Sequence, residues 1–178
     1  MNNRTQINKG FLGRNAMRLY LIRHADAKSE EEDPLRPLSE SGMQDIKKVA
    51  SYLSHIHIKI DQIFHSPKLR AKQTAEVLHE NVKASKGISE VDELAPLDDP
   101  NIWIERLKGI TDTTALVGHL PHLGKLITLL LCGNTNKDLF TFKPSGVACL
   151  QREDSGAWSL LWILIPEVVL LPKLAGFP

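Results

Sequence analysis

The strongest constraint on the fold of this chain is a repeated alternation between short apolar runs and stretches with helical spacing. Runs rich in apolar, β-branched and aromatic residues stand at 17–23, 60–64, 88–91 and 114–117. Such runs are typical of buried strands. Strands that alternate with helices pack as a parallel sheet with helices on both faces. We therefore predict an α/β fold, a three-layer α/β/α sandwich with a mostly parallel, mixed sheet of about six strands.

The predicted helices begin at residues that favour helix starts. Serine favours the N-cap position, and proline favours the first helical position. The predicted starts are Ser39, Ser66-Pro67, Pro100 and Pro121. The first helix is expected to end near His55 and the last near Gly133. Two further apolar runs, 147–151 and 158–165, flank a turn sequence and predict an antiparallel pair that completes the sheet.

Length and composition predict one folded domain. The chain has 178 residues, of which 42% are hydrophobic and 24% charged, and these values are ordinary for a globular protein with one substantial core. Residues 1–16 are polar and lack the continuous apolar segment of a signal peptide. We predict a flexible N-terminal extension at 1–16, a folded domain at 17–165 and a C-terminal tail at 166–178.

The charge balance argues against a nucleic-acid or membrane partner. The formal net charge is +1, from 22 basic and 21 acidic residues, so any selectivity for anions has to be local. The apolar run 158–171 is interrupted by Pro166 and Glu167 and is shorter than a membrane-spanning helix. The two cysteines, Cys132 and Cys149, are too few for a disulfide framework and favour a reducing, cytoplasmic location.

Basic side chains follow several of the predicted strands. Arg23 and His24 come directly after the first strand, Arg70 lies early in the helix after the second, and His119 follows the fourth. The carboxyl ends of parallel strands meet at one edge of a sheet. A guanidinium binds a phosphoryl group through a bidentate fork, and an imidazole can attack the phosphorus. An isolated Arg-His pair is more often a surface or core feature, but this combination predicts a phosphoryl site.

Four segments together resemble the histidine phosphatase superfamily, which has the phosphoglycerate mutase-like fold. They are LIRHA at 21–25, RPLSESG at 36–42, SPKLRAKQTA at 66–75 and VGHLP at 117–121. The resemblance covers roughly residues 17–165, which makes this the histidine phosphatase domain. The brief segment between the third and fourth strands is most similar to the branch of SixA-type phosphohistidine phosphatases.

The resemblance implies a role for each of the basic residues. His24 is the nucleophile that becomes phosphorylated, Arg23 and Arg70 hold the phosphoryl oxygens, and His119 donates a further hydrogen bond to them. Phosphoryl transfer needs mainly positioning and charge stabilisation, so neither a metal nor a cofactor is expected. Ser66 is either an additional substrate-binding ligand or only the helix cap, and the cap is favoured.

The general acid is the part of the family pattern that this chain lacks. Larger members carry a Glu or Asp in an insertion after the third strand, and here that region is short. The candidates that remain are Glu93, Asp98, Asp99 and Asp26, and each is also explained as a solvated or capping carboxylate. Asp99, directly before Pro100, fits an N-cap better than an acid. A weak acid favours a substrate with a labile P–N bond over an alkyl phosphate ester.

These observations predict a metal-independent phosphatase that hydrolyses phosphohistidine on a protein of the histidine phosphotransfer type. Such an enzyme would dephosphorylate a signal-transduction protein in the cytoplasm. The alternative within the same superfamily is a phosphatase for small phosphomonoesters such as sugar phosphates. A third possibility from another class is a phosphoprotein-binding regulator without turnover, which the complete set of arginines and histidines disfavours.

Overall fold

The computed structural model describes residues 17–134 and 140–169. The predicted extension at 1–16 lies outside the described residues, and so do residues 170–178 of the predicted tail. Residues 166–169 do pack on the domain, because the Lys48 ammonium donates to the Pro166 carbonyl oxygen at 2.7 Å and Val169 is buried in the core.

The described residues form six strands and four α-helices, in the order that the sequence predicts. The strands are β1 (Arg18–Arg23), β2 (Gln62–His65), β3 (Ile88–Glu90), β4 (Thr114–Gly118), β5 (Val147–Arg152) and β6 (Trp158–Leu164). The helices are α1 (Glu40–His55), α2 (Leu69–Val82), α3 (Asn101–Gly109) and α4 (His122–Cys132). The sheet has the order β3-β2-β4-β1-β5-β6. Strands β1 to β4 pair in parallel, β5 pairs antiparallel with β1, and β6 pairs antiparallel with β5, so the predicted mixed sheet is confirmed.

The sheet separates two hydrophobic cores. Successive side chains of a strand point to opposite faces, and in β1 Tyr20 and Ile22 join one core while Leu19 and Leu21 join the other. Helices α1 and α2 cover the first core, and α3 and α4 cover the second. The predicted α/β/α sandwich is therefore confirmed. Each of these β1 side chains is at most 1% exposed, and truncating such a leucine to alanine costs about 2–5 kcal/mol.

The start of α1 is fixed against the loop that follows β1. The predicted cap is confirmed, because the Ser39 hydroxyl accepts a hydrogen bond from the Gly42 N–H at 3.0 Å. Gly42 also packs so closely on this loop that an added Cβ would lie 2.0 Å from the Asp26 carbonyl oxygen. Only glycine fits there, and the contact holds the chain beyond His24 in one position.

The predicted start of α2 at Ser66-Pro67 is wrong. Helix α2 begins at Leu69, its N-cap residue is Lys68, and that side chain makes no capping hydrogen bond. Ser66 directly follows β2, and its N–H extends the sheet pairing by donating to the Val117 carbonyl oxygen of β4 at 3.1 Å. The helix begins three residues later, so the Ser66 hydroxyl is available to another partner.

Candidate active site

The ends of β1 and β4 place two histidine rings side by side. The strands pair in parallel with Arg23 opposite Gly118, and the His24 N–H continues the pairing by donating to the Gly118 carbonyl oxygen at 3.0 Å. The ring centroids of His24 and His119 are 4.7 Å apart, with the planes tilted by 52°. The convergence of strand ends that the sequence predicts is thus present in the fold.

The His24 ring is held in the tautomer that a nucleophile needs. Its Nδ1 lies 2.7 Å from the Ala25 carbonyl oxygen, and because a carbonyl oxygen only accepts, Nδ1 carries the hydrogen. The lone pair is therefore on Nε2. Burial lowers the pKa of His24 to about 4, and the positive charges of Arg70 and Arg23 act in the same direction. The ring is neutral at pH 7, with Nε2 free to attack an electrophile.

Arg70 lies directly against this lone pair. It sits in the first turn of α2, and its Nε donates to His24 Nε2 at 3.3 Å. Thr74, one turn further along, ties this turn to β1: its hydroxyl donates to the Arg70 carbonyl oxygen at 2.7 Å and accepts from the Ala25 N–H at 3.0 Å. The sequence interpretation assigned no role to Thr74, although its spacing of four residues from Arg70 in a helix was a signal for one.

Arg23 approaches the site from the end of β1. Its Nη1 donates to the Phe142 carbonyl oxygen at 2.6 Å. Its Nε is buried and has no hydrogen-bond partner within 17–134 and 140–169. Burial lowers the pKa of Arg23, while the Asp26 carboxylate opposes this shift. A buried N–H donor without an acceptor is costly, so this part of the site is built for an acceptor oxygen from a ligand.

Ser66 contacts His119 and does not cap a helix. Its Oγ lies 2.9 Å from His119 Nε2, and the favoured interpretation of Ser66 as a cap is wrong for the reason given above. His119 Nδ1 is buried and unpartnered among the described side chains and backbone. Burial lowers the pKa of His119 to about 3, and the neighbouring His24 and Arg70 add to the effect. Both rings are therefore neutral in the unliganded site, and an arriving dianion would favour protonation of His119.

The comparison with known proteins agrees with this geometry. Residues 19–98 match the model of the histidine phosphatase superfamily (branch 1). The chain is 27% identical over 155 residues to the phosphohistidine phosphatase SixA of Escherichia coli (strain K12), covering 84% of this chain and 94% of that protein. It is 33% identical over 144 residues to an uncharacterised protein of Picosynechococcus sp. (strain ATCC 27264 / PCC 7002 / PR-6), covering 76% of this chain and 85% of that protein.

The fold agrees as well. The structure of the protein histidine phosphatase SixA complexed with tungstate superimposes with a TM-score of 0.72 at 27% identity, over 84% of this chain and 97% of that one. The chain belongs to the histidine phosphatase superfamily. Membership implies a phosphatase hydrolase that acts on a phosphorylated substrate.

Arg36 is a third guanidinium that interacts electrostatically with His24. Its backbone is left-handed, with φ of 49°, and its Nε donates to the Lys28 carbonyl oxygen at 3.2 Å. Its positive charge lowers the pKa of both His24 and Arg70, in addition to the larger effect of burial on each. The sequence interpretation gave Arg36 no role, although a basic residue in the RPLSESG segment was a signal for one.

Three of the four predicted acid candidates already have hydrogen-bond partners, two in their own segment and one on α3. The Glu93 Oε1 accepts from Arg106 at 2.5 Å, the Asp98 Oδ2 accepts from the Ala95 N–H at 2.5 Å, and the Asp99 Oδ1 accepts from the Asn101 N–H at 3.0 Å. The last bond satisfies the first turn of α3, although the N-cap position itself is Pro100.

Asp26, the fourth candidate, lies in the loop that follows His24 and Ala25. Its Oδ2 accepts from the Ser39 hydroxyl at 2.6 Å, and its charge acts on Arg23. Asp26 is therefore the candidate acid with an electrostatic link to the site.

The site is suited to an oxyanion. The Arg70 guanidinium bonds to His24 Nε2, and the His119 imidazole lies beside the His24 ring. Such groups bind phosphoryl oxygens. In the part of the chain that the structure describes, no group of three or more His, Cys, Asp or Glu side chains is arranged to hold a metal ion. No helix among the described residues is both long and apolar enough to span a bilayer.

Proposed function

We propose that this histidine phosphatase hydrolyses phosphohistidine on a protein through a covalent intermediate on His24. The observation that carries the proposal is the pair of hydrogen bonds on the His24 ring. Nδ1 is held by the Ala25 carbonyl oxygen at 2.7 Å, while Nε2 faces the Arg70 Nε at 3.3 Å. A neutral imidazole with its lone pair against a guanidinium is arranged for attack on a phosphorus atom that the guanidinium holds.

The first half of the reaction transfers the phosphoryl group to His24. Its Nε2 forms a bond to phosphorus in line with the departing atom, and the bond from phosphorus to the substrate breaks. Arg70 Nε exchanges the imidazole nitrogen for a phosphoryl oxygen, and the unpartnered Arg23 Nε takes a second oxygen. His119 donates to a further oxygen and becomes a stronger donor as the dianion raises its pKa. The leaving imidazole of the substrate takes up a proton from solvent water, and this proton is returned to solvent when orthophosphate forms in the second half.

The second half returns the enzyme to its starting state. A water molecule attacks the phosphorus, the Nε2–P bond breaks, and orthophosphate leaves with the oxygen of that water. The His24 ring regains its lone pair on Nε2, and its Nδ1 bond to Ala25 is retained throughout. The same guanidinium groups hold the charge in both halves, so the chain needs no further cation for the second step.

The substrate class is inferred from what the acid candidates do. A phosphorylated imidazole departs with modest protonation, whereas an alkoxide leaving group requires a well-placed acid. Asp26 is exposed and already bonded to Ser39. Asp98 and Asp99 bond to N–H groups within 92–101, and Glu93 bonds to Arg106. The segment at 92–100 is short, and we infer that it leaves the site open to a protein partner. The similarity to SixA, a phosphohistidine phosphatase, supports the same substrate.

With this substrate, the protein would act in phosphohistidine signalling in the cytoplasm. The free thiols of Cys132 and Cys149 are consistent with a reducing compartment. The second candidate function is hydrolysis of small phosphomonoesters. It is favoured by the position of Asp26 next to Arg23, from which the carboxyl group could protonate an ester oxygen.

The test is a comparison of turnover on the two substrate classes. The wild-type protein should release phosphate from a phosphorylated histidine phosphotransfer domain with a kcat/KM well above that for sugar phosphates. A phosphoenzyme that is labile in acid and stable in base should accumulate on rapid quenching. His24→Ala should reduce turnover at least about a thousandfold and abolish the phosphoenzyme.

The matched control is His55→Ala, which removes an exposed imidazole at the end of α1. It should leave both readouts unchanged. If kcat/KM were higher for sugar phosphates than for the phosphohistidine protein, the function would be hydrolysis of small phosphomonoesters. Binding of the phosphoprotein without turnover of either class would leave only a binding role.

A further inference from the structure

The turn at 142–146, directly before β5, makes three hydrogen bonds to the end of β1. The Arg23 N–H donates to the Gly146 carbonyl oxygen at 3.1 Å, and the Ser145 N–H approaches the His24 carbonyl oxygen at 3.4 Å. The Arg23 Nη1 donates to the Phe142 carbonyl oxygen at 2.6 Å. The turn therefore holds both the backbone and the guanidinium of Arg23.

The conformation of this turn is unfavourable for its sequence. Ser145 has a left-handed backbone with φ of 59°, which residues with a Cβ rarely adopt. It is fully buried, and its hydroxyl has no partner among the residues that the structure describes. Gly146 is crowded, because an added Cβ would lie 2.8 Å from the Lys143 carbonyl oxygen. Such strain persists only where the surrounding structure enforces it, and it clusters at functional sites.

The consequence of the turn is a fixed orientation of the guanidinium. With Nη1 bonded to Phe142, the remaining edge of Arg23 consists of Nε and Nη2, which together form the two-pronged donor that matches a phosphoryl group. Nε on this edge is the buried donor without a partner. The bond to Phe142 thus selects which edge of the guanidinium is left for a ligand.

We propose that the left-handed turn at 142–146, centred on Ser145, positions the Arg23 guanidinium for the phosphoryl group. Ser145 is a positioning residue that acts through Arg23. The inference rests on the proposed function in one respect, because it takes Arg23 as a phosphoryl-binding group.

The first test is Ser145→Val, since a β-branched side chain resists the left-handed region. Displacing the guanidinium should weaken the binding of orthophosphate or tungstate and lower kcat, each by about 10- to 100-fold. In the wild type, the NMR resonance of the Arg23 Nε–H should shift when the oxyanion binds, and in the variant this shift should be lost. Gly146→Ala forces the same turn to move and provides a second variant if Ser145→Val does not fold.

Two variants separate positioning from general destabilisation. Ser145→Gly tolerates the left-handed backbone, so it should retain oxyanion binding and kcat within about twofold of the wild type. Lys83→Val is the matched control: Lys83 also has a left-handed backbone, with φ of 53°, but follows the far end of α2. It lies about 20 Å along the helix from Arg70. It should lower the unfolding midpoint without changing oxyanion binding.

A double-mutant cycle decides whether Ser145 acts through Arg23. In an Arg23→Ala background, Ser145→Val should weaken oxyanion binding no further. Additive effects, or unchanged oxyanion binding in Ser145→Val and Gly146→Ala, would overturn the inference. Oxyanion binding is measured without turnover, so the inference can survive if the wild type binds oxyanions but does not hydrolyse phosphohistidine. Conversely, full turnover by both turn variants would refute the inference and leave the proposed function intact.

Discussion

The cationic part of the site and its acidic surroundings are built in different ways. Arg23, His24 and Arg70 each make a side-chain hydrogen bond, Arg23 to the Phe142 carbonyl oxygen, His24 to the Ala25 carbonyl oxygen and Arg70 to His24 Nε2. The carboxylates at 92–101 bond instead to N–H groups of their own segment or to Arg106, and thereby stabilise local structure. Asp26 bonds to a serine at the start of α1.

This difference indicates which step the protein assists most. Preorganised donors stabilise the charge that develops on the phosphoryl oxygens, and such stabilisation is usually the largest single contribution to catalysis. Protonation of the leaving group receives much less structural support. A protein built in this way is best suited to a leaving group that departs easily, as an imidazole does.

The largest expected effect is on the cationic side. Arg70→Ala removes the donor at His24 Nε2 and should lower kcat/KM by about 10²- to 10³-fold for every substrate class. Arg70→Lys should recover only part of this loss, because an ammonium lacks the planar fork. Steady-state kinetics on a phosphohistidine protein and on p-nitrophenyl phosphate measure both variants. Lys47→Ala, which removes an exposed cation on α1, is the control. If Arg70→Ala lowered kcat/KM by less than tenfold, the cationic part of the site would not be the main source of catalysis.

Asp26→Asn probes the acidic side. If protonation of the leaving group matters little for a P–N bond, turnover of phosphohistidine should change by less than about threefold, whereas an alkyl phosphate ester should lose about 10²-fold. The ratio of the two kcat/KM values is the measurement. Ser39→Ala removes the hydroxyl that donates to Asp26 but leaves the carboxyl group in place. It therefore distinguishes the effect of the carboxyl group from the effect of its hydrogen bond. A large loss on phosphohistidine would show that the acid is used there too.

Removing the Arg36 guanidinium should have a smaller effect than removing that of Arg70. Its charge reaches His24 and Arg70, yet its Nε is bonded to Lys28. We expect Arg36→Ala to weaken oxyanion binding by about tenfold, the loss of one charge-assisted contact, with kcat changed less than KM. Isothermal titration with tungstate measures the affinity. An unchanged affinity would exclude Arg36 from the anion site.

The sequence predicted the fold well because the alternation of strands and helices is a local signal. It predicted the convergence of Arg23, His24 and His119 because parallel strands share an edge. It failed at Ser66, where pairing with Val117 of β4, far away in the chain, overrides the local preference for a helix cap. The support of Arg23 by the turn at 142–146 joins residues 119 positions apart through a backbone carbonyl. No side-chain type signals such a contact.

The smallest expected effect concerns pH, and it tests whether the two histidines are as buried in solution as they are in the structure. The pKa of His24 is lowered to about 4 and that of His119 to about 3, from 6.5 in each case, mainly by burial. Above pH 6.5 the folded and unfolded states are both neutral at these rings, so neither ring affects stability. As the pH falls below 6.5, the unfolded chain binds protons that the folded chain does not, and stability declines until the folded pKa is reached.

Thermal unfolding between pH 7 and 4 should therefore show a falling midpoint, and His119→Asn should reduce the slope because one of the histidines with a lowered folded pKa is gone. Orthophosphate should reduce the slope in the wild type as well, since a bound anion raises the folded pKa of both rings.

In the same pH range, kcat/KM reports the ionisation of the free enzyme. It should stay constant down to about pH 5, after correction for titration of the substrate. A decline in kcat/KM centred near pH 6.5 would mean that His24 is solvated, and the cationic side would then be less preorganised than its hydrogen bonds indicate.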